Sequence, residues 1–76
     1  MIYKNKKEII ISEESSVSIC IFSEMKNYGQ ESFTLDTSKN GVFAFSNGLY
    51  SGYVEYNYEE KKIKVFGDIS TYIVVI

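Results

Sequence analysis

VFAFSNGLYSGYVEYNYEEKKIKVFGDISTYIVVI, residues 42–76, is the stretch that decides the fold. It reads as four antiparallel strands joined by tight turns at Asn47-Gly48, Glu60-Lys61 and Gly67-Asp68. Asn-Gly between alternating apolar residues is a strong hairpin signal, because a type I′ turn needs φ > 0 at both central residues. As a two-residue loop it sets Ser46 opposite Leu49, Phe45 opposite Tyr50 and Phe43 opposite Gly52. A turn at 59–62 then sets Tyr58 opposite Ile63 and Tyr56 opposite Val65. Gly67-Asp68 suits a primed turn with glycine first, which sets Phe66 opposite Ile69, Val65 opposite Ser70 and Ile63 opposite Tyr72.

Side chains alternate across a strand. One face therefore collects Phe43, Phe45, Tyr50, Val54, Tyr56, Tyr58, Ile63, Val65, Tyr72, Val74 and Ile76, and is expected to be core. The other face carries Val42, Leu49, Tyr53, Phe66, Ile69, Ile73 and Val75 among Ser, Thr, Glu, Asn and Lys. A slip of one residue would drive Glu55 and Lys64 in among the aromatics, so the alternation specifies the register.

Working outward, 37–41 reads as a turn and 32–36 as a short strand with Phe33 and Leu35 on one side. The segment 24–31 has no clean period and is expected to be a loop with at most one helical turn. Further back, 7–11 and 17–23 are expected to pair as a first hairpin around 12–16. A helix capped by Ser12 is the rival, but the β-branched run that follows disfavours it. The run 69–76 is apolar on both faces from Tyr72 onward, so it is expected to be central or doubly covered and to pair with an N-terminal strand, closing the barrel. A sheet with one apolar face needs a cover. The expectation is a single all-β domain over 1–76: a small antiparallel barrel or two-layer sandwich of about six to seven strands, ending in a four-stranded meander.

Composition supports this class. Ten Ile, six Val, seven Tyr and five Phe stand against one Ala, a balance that favours strands. The net charge of −2 sets up no strong field for polyanions or for mimicry of nucleic acid,. All eight basic residues are Lys; without Arg and its bidentate contacts, specific nucleic-acid readout is not expected. One cysteine cannot form an intrachain disulfide, which suits a reducing, cytoplasmic setting. After the basic start only Ile9-Ile10-Ile11 precedes Ser12-Glu13-Glu14, too short for a signal-peptide core, and no stretch reaches membrane-spanning length,.

No catalytic apparatus is legible. The chain has no His, which removes Ser-His and Cys-His nucleophile pairs and the usual zinc sites. Cys20 alternates with apolar neighbours and is expected to be a buried structural thiol. Glu13/Glu14 and Glu59/Glu60 fall in turns, whereas paired-carboxylate hydrolysis needs one member buried. Gly41, Gly48, Gly52 and Gly67 are accounted for by turns and strand geometry, leaving no phosphate loop. Neither enzymatic activity nor a cofactor nor a metal is expected. Lys4, Lys6 and Lys7 beside Tyr3 read as a solvated end. Tyr50, Tyr53, Tyr56, Tyr58 and Tyr72 lie on neighbouring strands and could stack a sugar or base. The register, however, turns all but Tyr53 towards the core, with hydroxyls at the rim.

The run Gly41-Val42-Phe43-Ala44-Phe45-Ser46-Asn47-Gly48, followed by Tyr50 and Gly52, resembles one MORN-type hairpin repeat. That family places its Tyr-x-Gly one residue later and repeats in tandem, so a single copy over 41–52 implies nothing about activity or partner.

Exposed apolar patches of any size usually mark contact surfaces. The second face therefore supplies the candidate partner-binding residues: Leu49, Tyr53, Glu55, Lys64, Phe66 and Ile69. The function expected is a small non-enzymatic protein-binding module, such as a stoichiometric inhibitor, immunity or phage counter-defence protein. It would act by occlusion or by pairing at an edge strand. A sugar- or nucleotide-binding domain with a tyrosine rim, and a homo-oligomeric structural protein, are the alternatives.

Overall fold

The computed structural model describes residues 1–12, 16–22, 30–46, 48 and 50–76. Alternating β-branched, aromatic and polar residues give eight strands among them. These are β1 (Ile2–Lys4), β2 (Glu8–Ile10), β3 (Val17–Phe22), β4 (Gln30–Leu35), β5 (Gly41–Ser46), β6 (Ser51–Asn57), β7 (Lys62–Gly67) and β8 (Ser70–Val75). All pairings are antiparallel. One sheet has the order β1-β8-β3-β4 and the other β2-β7-β6-β5. The fold is an all-β two-layer sandwich rather than a closed barrel, and β1 is the strand beyond the expected six or seven.

The core lies between the sheets. On β3, Val17, Ile19 and Ile21 are buried while Ser18, Cys20 and Phe22 take the other side, and Leu35 and Ile73 join them from β4 and β8. The facing layer contributes Phe45, Val54, Tyr56, Ile63 and Val65, with Ile9 and Ile11 at its rim. Full burial of one such aliphatic side chain is worth about 1.5–3 kcal/mol. Tyr56 is 1% exposed, and its hydroxyl donates to the Thr37 carbonyl at 2.9 Å. A phenol is tolerated at this depth because that bond ties it to the turn between β4 and β5.

The meander has three strands, and both its registers differ from expectation by two residues. Phe43 faces Val54 and Phe45 faces Gly52, so Ser46 and Ser51 close the β5–β6 hairpin. Asn47 of the expected two-residue turn lies outside the described residues. Tyr56 faces Ile63, and Asn57 faces Lys62. The turn thus spans 58–61, because the Asn57 side chain accepts from the Glu60 amide at 3.0 Å and Lys61 takes a left-handed φ of 55°,. A two-residue shift preserves the alternation, so the core face of β5, β6 and β7 is as expected. Tyr58 is the casualty: it sits in the turn, 43% exposed, with the Lys61 ammonium 3.6 Å from its ring centroid.

Gly67-Asp68 does not make a hairpin. The free side of β7 is taken by β2, with Ile9 opposite Ile63, and the chain leaves for the other sheet. Gly67 has φ +93°, and a Cβ there would lie 2.4 Å from the Ser51 carbonyl oxygen. That oxygen accepts from the Asp68 amide at 2.9 Å. β8 then lands centrally between β1 and β3, as its apolar run and pairing with the N-terminus led one to expect. Its inward face is Thr71 and Ile73, opposite Ile21 and Ile19, not the expected Tyr72, Val74 and Ile76.

The first hairpin is likewise absent, since β2 and β3 belong to different sheets; residues 13–15 lie outside the described part. The N-terminal segment serves both sheets, through β1 in one and β2 in the other. It bends at Asn5, whose φ is 54° and whose Oδ1 accepts from the Thr71 amide at 2.9 Å. Most of the expected 24–31 loop is also undescribed, although Gln30 and Glu31 begin β4. At the opposite edge β4 and β5 meet through Phe33 and Phe43, stacked at 4.0 Å, rather than through strand pairing.

Candidate binding surface

The outer face of the β2-β7-β6-β5 sheet is set by alternation and register. One row across it runs Ala44, Tyr53, Phe66; the next runs Val42, Glu55, Lys64, Glu8. Tyr53 and Phe66 stack at 4.7 Å between centroids and are 39% and 38% exposed. Glu55 and Lys64 are direct cross-strand partners. Four of the six expected contact residues therefore share one face. Ile69 does not: it is 7% exposed and packs into the core at the β7–β8 corner. Its expected position assumed a third hairpin, and the chain turns inward there instead. Leu49 lies outside the described residues.

Charge on this face is only partly paired. Lys62 holds Glu8 at 2.9 Å and reaches Glu60 at 3.9 Å. The hydrogen bond and charge of Lys62 hold the Glu8 carboxyl below its ordinary value, and Glu8 in turn raises Lys62. Among the described residues neither Glu55 nor Lys64 closes an ion pair within 4.0 Å.

Beside Tyr53 an open, mainly apolar hollow of about 550 Å³ is lined by Val42, Ala44, Phe45, Ser46, Ser51, Gly52, Tyr53 and Gly67. Ala44, directly opposite Tyr53, offers the hollow only a methyl group. Neither glycine can be enlarged: a Cβ on Gly52 would lie 2.3 Å from the Phe66 carbonyl oxygen. The hollow adjoins β5, an edge strand with a neighbour on one side only among the described residues. Val42 on that edge is 65% exposed. Sequence alone leaves the accepting edge unnamed, although β5 carries its mark, six residues without charge (Gly41–Ser46).

Tyr53, Tyr56, Tyr58 and Tyr72 do not share one surface. Tyr56 is in the core, Tyr58 is in a turn, and Tyr72 lies on the outer face of the other sheet, stacked on Phe22 at 5.1 Å beneath Lys4. Cys20 is on that outer face too, half-buried opposite Tyr72 and Ser32 rather than enclosed. It follows its outward alternation with Ser18 and Phe22. Among the described residues no group of three or more His, Cys, Asp or Glu is placed to hold a metal. Nor is any helix among them long and apolar enough to cross a membrane.

The fold and this surface define a two-layer antiparallel β-sandwich in which, among the described residues, the uncharged strand β5 has a neighbour on one side only. In comparisons with known proteins, no family model matches the chain, and neither a curated protein nor a solved structure matches it significantly.

Proposed function

We propose that this chain is a non-enzymatic protein-binding module that receives an extended segment of another protein along β5, acting stoichiometrically as an inhibitor or immunity-type protein does. The observation that carries the reading is β5 itself. Edge strands expose a row of unpaired backbone donors and acceptors, and proteins normally protect them with charge, proline, bulges or brevity. β1 and β2 are three residues long and carry Lys4 and Glu8, and β4 carries Glu31. β5 has six residues and no such device. In strand addition the main chain provides affinity and pockets for alternate side chains provide specificity. Here the hollow beside Ala44 would take one outward side chain of the partner, and Glu55 and Lys64 would set its polar neighbours. The single cysteine supports a reducing compartment, and the cytoplasm is the setting proposed,.

Affinity capture from a host lysate tests this when three baits are compared. Wild type and Ile10→Lys, which alters the β2 edge, should retain the same protein. Val42→Lys should lose it by about tenfold or more, as edge charge blocks pairing. Equal retention by Val42→Lys would dismiss β5 as the contact.

A further inference from the structure

We propose that β5 also pairs with β5 of a second copy of this chain, antiparallel about a two-fold axis through Phe43. The inference rests on reading β5 as a strand-accepting edge, and it names one occupant. Residues directly opposite each other in an antiparallel pair share a face. A two-fold axis through Phe43 therefore sets Val42 opposite Ala44, Gly41 opposite Phe45 and Asn40 opposite Ser46.

This register matches large to small at Val42–Ala44 and Gly41–Phe45, with Phe43 against its own copy at the axis. On the outer face Val42, exposed at 65%, is the knob, and the hollow bounded by Ala44, Gly52 and Tyr53 is the recess. They lie two residues apart on one strand, the spacing that lets each copy fill the other. On the inner face Phe45 meets a glycine. Moving the axis to Ala44 sets alanine against alanine and Val42 against Ser46, so the Val42–Ala44 match is lost.

Charge agrees with the same register. The joined outer row would read Lys64, Glu55, Val42 of one copy and then Ala44, Tyr53, Phe66 of the other. Neither Glu55 nor Lys64 meets its own counterpart, and β5 contributes no charge to the seam. The two four-stranded sheets would become one continuous sheet of eight. Self-pairing uses the same backbone groups as the proposed partner, so the monomer is the binding-competent form and the dimer its store.

Sedimentation across about 1 μM to 1 mM tests this, the span over which an association of a few to several kcal/mol is resolved. Wild type and Ile10→Lys should double in mass with concentration, whereas Val42→Lys should stay monomeric with an unchanged far-ultraviolet spectrum. The register is read by oxidation in a Cys20→Ser background. A mixture of Val42→Cys and Ala44→Cys chains should cross-link to each other in preference to themselves. Overturning results are a monomer at every concentration, a dimer indifferent to Val42→Lys, or preferential self-linking of Ala44→Cys. If wild type is monomeric yet its lysate capture still depends on Val42, the second copy is rejected and the strand-accepting edge stands. If capture ignores Val42, the edge reading itself fails.

Discussion

Thr71 shows what one side chain does against the pattern around it. It is fully buried on β8 opposite Ile21, and among the described residues its Oγ1 has no hydrogen-bond partner. A buried hydroxyl without a partner carries a desolvation cost of about 1–3 kcal/mol. Valine has nearly the same shape and the same β-branched preference for strands. Thr71→Val should therefore raise stability by about 1 kcal/mol, read as a higher urea midpoint at an unchanged slope. A lower midpoint would mean that the hydroxyl is satisfied in solution. Tyr56 is the contrasting case, a core phenol whose hydroxyl does find an acceptor in Thr37.

Among the elements, β2 is held to β7 by pairing and by the Glu8–Lys62 contact. The Glu8 carboxyl lies below its ordinary 4.5 because of the hydrogen bond and charge of Lys62, and Lys62 lies above 10.5 because of Glu8. A lowered acid contributes stability above its unfolded value and loses it as pH falls through the folded one. A raised base contributes below its unfolded value and loses it as pH rises through the folded one. The pair should thus stabilise β2 on a plateau between those limits, weakly, since both groups are solvent-screened. The difference in urea midpoint between wild type and Glu8→Gln should be present near about pH 6 and shrink by about pH 3, and added salt should reduce it. A difference unchanged at acid pH would count against the contact. The turns that bound these elements were legible only in part. Asn57 was the overlooked signal: its side chain closes the turn one residue earlier than the charged run suggested.

At the scale of the molecule the ends of the chain meet. The Met1 amino group donates to the Val75 carbonyl at 2.6 Å, and the Val75 amide to the Met1 carbonyl at 2.8 Å. Non-local pairing of this kind slows folding, because loop closure precedes its reward. Refolding from urea, followed by tyrosine fluorescence, should take about milliseconds to seconds. The chain has no proline, so a phase of tens of seconds from prolyl isomerisation is not expected. Relaxation within microseconds would contradict the topology.

What the sequence by itself determined was alternation: which residues of β3, β5, β6 and β7 turn inward, and that strands fill the chain. It also brought Tyr53, Glu55, Lys64 and Phe66 to one face, because alternation within a strand is local and survives a register shift of two. Only the tertiary structure decided who pairs with whom. β2 takes the free side of β7, and β8 pairs on both sides, with β1 and β3, instead of standing as another edge. That choice reverses the inward face of β8, buries Ile69 and, among the described residues, leaves β5 with a neighbour on one side only. Pairing partners are settled by comparing whole arrangements of the chain, and no single stretch carries that comparison.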